Sequence, residues 1–412
     1  MARLKGFQKL TPVDDALRIF LEACPLKKLK TVHVHLDSAL GRVSAEKIIS
    51  KEDLPRVDRS AVDGYAVKAE DTVGASQFKP KTLTIADGEE ISAKQGKQVW
   101  TGNPLPKEAN AVIMLENTKR RGAEIEVWTP LTPNENVSKK GEDIKSGEIA
   151  VKAGIRLKPQ HLGLMAALGM TSITVFEKPK IAILATGNEL QEIGNKLQEN
   201  QVFDVNRHVV SALCRELGAE PLDLGISKDN AEEITEKLRA GLSADVIITT
   251  GGTSVGAPDV VPEAVNKIGK PSILVHGIAM RPAMPTALAI VDEKPIVILS
   301  GNPVAAMIGF EFFARPLICR MLGLEREESR PTVEAELTKK VLTALGRRSF
   351  VRVRVFKENS KFFAEPISAR GSGLISTMTR SNGYVIVPEN REGLAQGETV
   401  LVHLFDNVEA VG

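Results

Sequence analysis

Between residues 180 and 325 three continuous apolar runs, KIAILATG, ADVIITTGG and KPIVILSGNP, each lead into a glycine-containing turn. Helical periodicity lies among and after them, at about 204–217, 230–242 and 303–322. Strands that are apolar on both faces and alternate with helices predict a parallel sheet covered on both sides, a three-layer α/β/α domain. On such a sheet ligands bind beyond the carboxyl ends of the strands, where these turns lie.

The flanks read differently. Pro12 opens an amphipathic helix carrying Ala16, Leu17, Ile19, Phe20 and Leu21. From 56 to 137 the segments are short and β-like, as in KTLTI, AVIML and EIEVW. KPQHLGLMAALG, residues 158–169, predicts a short helix ending at a glycine. From about 331, TVEAELTKKV, SFVRVRVF, KFFAEPI, GYVIVP and ETVLVHLF predict a small barrel or sandwich. In SFVRVRVF, Val351, Val353 and Val355 alternate with Arg352 and Arg354, which predicts one buried and one solvated face. The expected organisation is a mixed N-terminal region, 1–178, with its β-rich insert at about 56–137. An α/β domain, 179–325, and a C-terminal β-barrel-like domain, 331–408, follow it.

Composition narrows the function classes. A chain of 412 residues calls for about two to four cores. A net charge of +2 favours neither nucleic acid nor an anionic membrane. The N-terminus has no secretory apolar region, and no stretch reaches the length of a membrane span. Cys24, Cys214 and Cys319 are far apart, so they are expected as small buried hydrophobes in a reducing cytoplasm.

The candidate chemistry lies in the turns. TTGGTSVGAPD, residues 249–259, follows the strand Asp245–Ile248. Gly251, Gly252 and Gly256 let backbone N–H groups approach a ligand, and Thr253 and Ser254 add hydroxyls, which suits an oxyanion. Asp259 is either a Mg²⁺ carboxylate or the N-cap of a helix at Val260–Ile268. In LSGNPVAA, Asn302 fits an N-cap and Pro303 the first helical position, beside Ser300 and Gly301; a ligand site and plain helix-start chemistry both remain open. Glu189 in ATGNEL and Asp229 in ISKDN follow neighbouring strands. With Asp259 they would form three acids on one sheet edge, a set suited to Mg²⁺ rather than Zn²⁺, since the six histidines do not cluster. DRSAVDGYAV, with Asp58, Arg59, Ser60, Asp63 and Tyr65, reads on spacing alone as a polar turn before a strand. So do VWTGNPLP around Thr101 and GEDI with Glu142 and Asp143.

Taken together and in order, these segments resemble the molybdopterin molybdenumtransferase family, which includes the bacterial and archaeal MoeA proteins and the gephyrin E domain. The matching pieces are DRSAVDGYAV, TGNPLP, GEDI, ATGNEL, DVNR (204–207), TTGGTSVGAPD, RPAMPTALA (281–289), SGNPVAA and RGSGLIS (370–376). The resemblance implies a homodimer with a MogA-like α/β domain, two intertwined N-terminal subdomains and a C-terminal β-barrel-like domain. It also implies an active site between the α/β domain of one subunit and N-terminal elements of the other. Asp63, Thr101, Glu189, Asp229 and Asp259 match the family's functional acids and threonine. Arg281 matches a basic residue of the family's K-P-G-K-P segment, Arg347 and Ser372 match positions implicated in oxyanion binding, and Asn302 and Pro303 match a helix start beside the pterin. The family's K-P-G-K-P is Arg281-Pro282-Ala283-Met284-Pro285 here, and a lysine of some members is Gly277. Loss of one charge-assisted bond is expected to weaken oxyanion binding by about 1–3 kcal/mol.

The activity so implied is insertion of molybdate, or tungstate, into adenylylated molybdopterin with release of AMP, dependent on Mg²⁺. Molybdopterin adenylyltransferase and molybdoenzymes or their chaperones are the implied partners. Two alternatives stand beside it: the adenylyltransferase itself, and a catalytically weak scaffold.

Overall fold

The computed structural model describes residues 10–25, 30–253, 260–325, 328–367 and 371–410. The chain forms two compact units, His33–Val175 and a larger one made of Met1–Val32 with Phe176–Gly412.

In the His33–Val175 unit a six-stranded sheet runs in the order Ala111–Met114, Gly64–Val67, Gln95–Val99, Lys81–Ile85, Glu124–Val127, Thr118–Arg121. Tyr65, Val67, Leu83, Ile113, Ile125 and Val127 pack on one face. Ala66, Val99 and Val112 pack on the other. Burial on both faces explains why these strands read as short apolar runs rather than alternating ones. Gly64 is required where it stands: a Cβ there would lie 1.9 Å from the Ile113 carbonyl oxygen. The predicted helix at 158–169 forms as Pro159–Ala167 and stops before Gly169, whose φ is +73°.

The larger unit begins with α1 (Val13–Ala23), which starts directly after Pro12 and buries Val13, Ala16 and Phe20. Its central sheet is built from β1 (Lys180–Thr186), β2 (Glu220–Ser227), β3 (Val246–Thr250), β4 (Pro271–His276), β5 (Ala287–Val291) and β6 (Lys294–Leu299). The strand order is β2-β1-β3-β6-β5-β4. β2, β1, β3 and β6 are parallel, with Ile248 aligned to Ile183 on one side and Val297 on the other. The wholly parallel expectation fails at β5, which runs antiparallel to both neighbours. The link explains it. Asp292 and Glu293, at φ +47° and +66°, make a two-residue hairpin turn, and a parallel return would need a crossover about a dozen residues long.

Helices cover both faces. α3 (Ala231–Gly241) and α4 (Val260–Ile268) put Ile234, Leu238, Val261 and Val265 against Ala182, Leu184, Ile247 and Ile298. α2 (Asn206–Glu216) and α5 (Pro303–Gly309) lie against the sheet through β1, β2 and β6. The helical run continues through a π-turn, Phe310–Ala314, into α6 (Arg315–Met321).

The C-terminal strands β7 (Thr332–Leu337), β8 (Arg348–Glu358), β9 (Lys361–Pro366), β10 (Gly383–Val387) and β11 (Thr399–Leu404) pair in the order β8-β9-β7-β11-β10. The β8–β10 pairing closes them into a barrel. Val351, Val353 and Val355 point into its core with Leu337, Ala364 and Val402. The expected solvated face of β8 is corrected at Arg352, which is 3% exposed. Phe312 of the π-turn packs on Phe350 with ring centroids 4.2 Å apart, so part of the outer face is covered. Alternation along one strand reports which side faces the barrel core and carries no information on what covers the outside. All three cysteines are buried, and burial pushes the Cys24 and Cys214 thiols up to about 12.

Candidate active site

A cavity of about 890 Å³ opens at the carboxyl ends of β1, β3 and β6. Glu189, Asp229, Gly251, Gly252, Thr253, Ser300, Gly301, Asn302 and Pro303 all line it, so the three turns and the β2 loop share one space. Gly251, at φ +93°, is where a side chain is impossible: a Cβ would lie 2.2 Å from the Thr186 carbonyl oxygen. That close approach folds the TTGG turn back over the end of β1. Ser254 and Asp259 lie outside the described residues.

The loop tips are tied to one another. The Asn188 N–H donates to Asp229 Oδ2 at 3.3 Å, and the Asp229 N–H donates to Asn188 Oδ1 at 3.2 Å. Glu189, next in sequence, lines the cavity beside this clasp. Among the described residues no three His, Cys, Asp or Glu side chains gather around one metal position. Of the three expected metal acids, Glu189 and Asp229 share the cavity. Carboxylate oxygens are the ligands Mg²⁺ takes, so among the described residues Glu189 and Asp229 are the exposed acids of this cavity that could hold one.

Asn302 holds the expected N-cap position of α5, but its side chain makes no cap hydrogen bond. The Val304 N–H donates instead to the Ser372 carbonyl, 3.0 Å away. A backbone oxygen from the RGSG segment thus satisfies that amide and leaves the Asn302 amide group to the cavity. Asn206 of DVNR secures the same loop, donating through Nδ2 to the Gly301 carbonyl at 2.7 Å.

A second cavity, about 350 Å³, adjoins the first. The two share Met284, Pro285, Ser300 and Asn302. Arg281, Arg347 and Ser372 line it, together with Thr343, Ser349 and Arg352. The two-residue strand Met280–Arg281 pairs with the start of β8, setting Arg281 beside Ser349. The adjacent arginines of GRRSFVR are divided by their neighbours. Arg348 makes a two-pronged ion pair with Asp14, at 2.7 and 2.6 Å, and another with Glu389 at 3.0 Å. The Asp14 hydrogen bonds hold the Arg348 guanidinium above its ordinary pKa, against the opposing pull of burial. Arg281 and Arg347 make no ion pair with a described residue, so their charge faces the cavity. Arg352 was missed because the strand alternation put it on the solvated side; burial pulls its guanidinium below the ordinary value. Met284 sits at the junction of the two cavities.

Within the His33–Val175 unit, Asp63 and Thr101 meet. Asp63 Oδ1 accepts from both the Thr101 N–H and its hydroxyl, each at 2.7 Å. The amide and then the hydroxyl hold this exposed carboxyl below its ordinary value. Asp58 instead accepts from Lys139 Nζ at 2.7 Å and the Lys140 N–H at 2.8 Å, and Glu142 from the Lys139 N–H at 2.9 Å. These last contacts clamp the SKKGED turn.

A charge cluster adjoins the larger cavity through Asp204. Arg207, 4% exposed, donates through Nε to Asp204 at 3.0 Å, through one terminal nitrogen to Asp223 at 2.9 Å, and through the other to Glu192. Burial opposes its charge, but the hydrogen bond to Glu192 and the charge of Asp223 prevail and raise its pKa. DVNR was visible only as a matching segment; the acids that complete the cluster are too far along the chain to be read with it.

Three family models match in chain order: "MoeA N-terminal region (domain I and II)" over 11–169, "Probable molybdopterin binding domain" over 182–320 and "MoeA C-terminal region (domain IV)" over 334–405. A Methanocaldococcus jannaschii protein whose name places it in molybdopterin biosynthesis is 37% identical, over 98% of this chain and 100% of its own. The molybdopterin molybdenumtransferase of Haemophilus influenzae is 32% identical, over 96% of this chain and 99% of that one. The crystal structure of a molybdopterin biosynthesis MoeA protein from Pyrococcus horikoshii OT3 matches with a TM-score of 0.82 at 33% identity, covering 96% of this chain and 100% of that one. Similarity of this extent along nearly the full length shows that the chain belongs to the MoeA, or molybdopterin molybdenumtransferase, family of molybdenum cofactor biosynthesis.

Proposed function

We propose that the chain inserts molybdate, or its analogue tungstate, into adenylylated molybdopterin and releases AMP. The observation that carries this reading is the pair of adjoining cavities. One is lined by carboxylates, hydroxyls and a glycine turn at strand ends, and the other by arginines and hydroxyls. A diphosphate and a tetrahedral oxyanion must react next to each other, and two contiguous sites of these characters suit them.

The substrate diphosphate lies against the Gly251–Thr253 turn, Ser300 and Asn302. Glu189 and Asp229, with Asp259, would hold Mg²⁺, which when bound neutralises phosphate charge. Molybdate docks on Arg281, Arg347 and Ser372; a guanidinium fork presents paired N–H groups to two oxygens of a tetrahedral anion. In the reaction the P–O–P bond breaks and AMP departs. An oxygen joins that phosphorus in one of two ways: an oxo group of molybdate transfers directly and the two thiol protons are released, or water adds and the displaced oxo group leaves with those protons as water. In both, the two dithiolene sulfurs bind the metal in its place. The residues contribute position and charge balance. Asp63, held ionised by Thr101, fits a role in orienting a reacting group better than one in releasing a proton.

The proposal includes a cytoplasmic homodimer that receives its substrate from the adenylyltransferase and passes its product to molybdoenzymes or their chaperones. Neither membrane nor nucleic acid is part of it. The test is reconstitution with purified protein, adenylylated molybdopterin, Mg²⁺ and each oxyanion in turn. AMP release coupled to metal-loaded pterin is the expected result. Consumption of ATP with free molybdopterin, yielding the adenylylated compound, would instead identify an adenylyltransferase.

A further inference from the structure

The larger cavity has a second side of different chemistry. A parallel ribbon, Leu190–Gln191 with Val202–Phe203, stands apart from the six-stranded sheet. Val202, Phe203 and Val205 line the cavity from this side, and they are 52%, 38% and 38% exposed. Large apolar groups left open along a concave polar site mark a place where a ligand covers them. A two-stranded ribbon is marginal on its own, and Ile193 and Leu197 beside it are themselves 57% and 39% exposed. Little apolar packing therefore holds it.

Arg207 supplies the anchor. Glu192 follows the first ribbon strand, Asp204 follows the second, and Asp223 belongs to β2. One buried guanidinium joins all three. Its planar fork fixes the direction of each bond, which a lysine ammonium cannot do. Asp204 is 1% exposed and also accepts the Arg207 N–H at 3.2 Å, so the start of α2 is locked to the end of the ribbon.

We propose that the ribbon is a wall for a planar heterocycle, with one of the two flat rings of the substrate lying against Phe203, and that Arg207 is the positioning residue that sets this wall. The inference rests on the function proposed above, because it takes its ligand from there. An adenylylated pterin carries a flat ring on each side of its diphosphate. With the diphosphate at the strand-end turn, one ring must occupy the rest of the same cavity, and the apolar side is the ribbon. Stacking on an aromatic side chain is tolerant of ring identity, so the shared chemistry is the planar ring, and adenine and pterin are told apart by experiment.

The experiment measures binding of AMP, of 6-hydroxymethylpterin and of inorganic pyrophosphate to the full-length protein by calorimetry. The proteins are the wild type, Phe203→Ala, Phe203→Trp and Arg207→Lys, with melting curves and size-exclusion profiles for each. Phe203→Ala is expected to weaken one of the two ring ligands about tenfold, equivalent to about 1.4 kcal/mol. It should leave pyrophosphate unchanged, and Phe203→Trp should restore binding. Arg207→Lys should weaken the same ring ligand and again spare pyrophosphate. Loss of AMP binding assigns adenine to the wall, and loss of pterin binding assigns pterin. The proposal is overturned if Phe203→Ala leaves both ring ligands within twofold of wild type, if pyrophosphate weakens equally, or if only the oligomeric state changes. Failure of the function proposed above would show separately, as wild-type protein that binds a ring on Phe203 yet releases no AMP from the complete substrate.

Discussion

The two adjoining cavities differ in how they are built. The larger is lined mainly by groups that follow directly on a strand: Glu189 after β1, Asp229 after β2, Gly251–Thr253 after β3 and Ser300–Asn302 after β6. The smaller collects Arg281 from a two-residue strand, Arg347 and Arg352 from the entry of a barrel strand, and Ser372 from the segment that closes the start of α5. One is a by-product of sheet topology, since parallel strands deliver their ends to one edge. The other depends on a barrel packing against a different domain. On the function proposed above, the contrast implies separable tasks: the strand-end cavity would take the diphosphate, and the barrel-side cavity the oxyanion.

The largest effect should come from the strand-end side. Glu189→Gln is expected to slow AMP release about 100-fold, the scale of losing one preorganised charge at a reacting centre. The KM for molybdate should stay within a factor of a few; a large rise in that KM would erase the division of labour. Arg347→Ala tests the other side. A lost charge-assisted hydrogen bond costs about 1.5–3 kcal/mol, so molybdate binding should weaken about tenfold to a hundredfold while pyrophosphate binding is preserved. Calorimetry with each anion distinguishes the outcomes.

Met284→Lys sharpens the comparison at the junction. A cation there should tighten molybdate binding by about tenfold or less, given the partial exposure of the position. If pyrophosphate binding tightens equally, the junction serves both anions. The smallest effect is expected at Asp63, in the other unit. Its folded-state pKa lies below the ordinary value of 3.8, through the Thr101 amide and then the hydroxyl. The native state therefore keeps the carboxylate to lower pH than the unfolded chain does. That contribution is present above about pH 3.8 and is lost as pH falls through the folded value. Asp63→Asn should remove this acid-side loss, seen as a flatter dependence of the urea midpoint on pH between 2 and 4. A curve parallel to wild type would mean that the Thr101 contact does not govern the titration.

Most of the larger cavity was legible in the chain. Apolar runs ending in ATGNEL, TTGG and LSGNP mark strand ends, and Asn302–Pro303 marks a helix start. The smaller cavity was legible only through resemblance. Nothing local separates Arg347 from Arg348; Asp14, on the N-terminal helix, makes the difference by taking Arg348. Arg352 alternates with valines and reads as solvated until Phe312 covers its strand. Arg207 reads as an ordinary helix residue until Glu192 and Asp223 reach it.

By itself the sequence determined the periodicities, the turns that demand glycine or proline, and hence the α/β block flanked by β-rich segments. Those are properties of neighbouring residues, set by backbone sterics and by which face must leave water. The tertiary structure alone decided that β5 returns antiparallel, that the barrel closes on β8 and β10, and which arginines keep their charge for a ligand. Those outcomes depend on contacts between residues distant in the chain, and a guanidinium is either neutralised or left available according to whichever carboxylate the fold brings within reach.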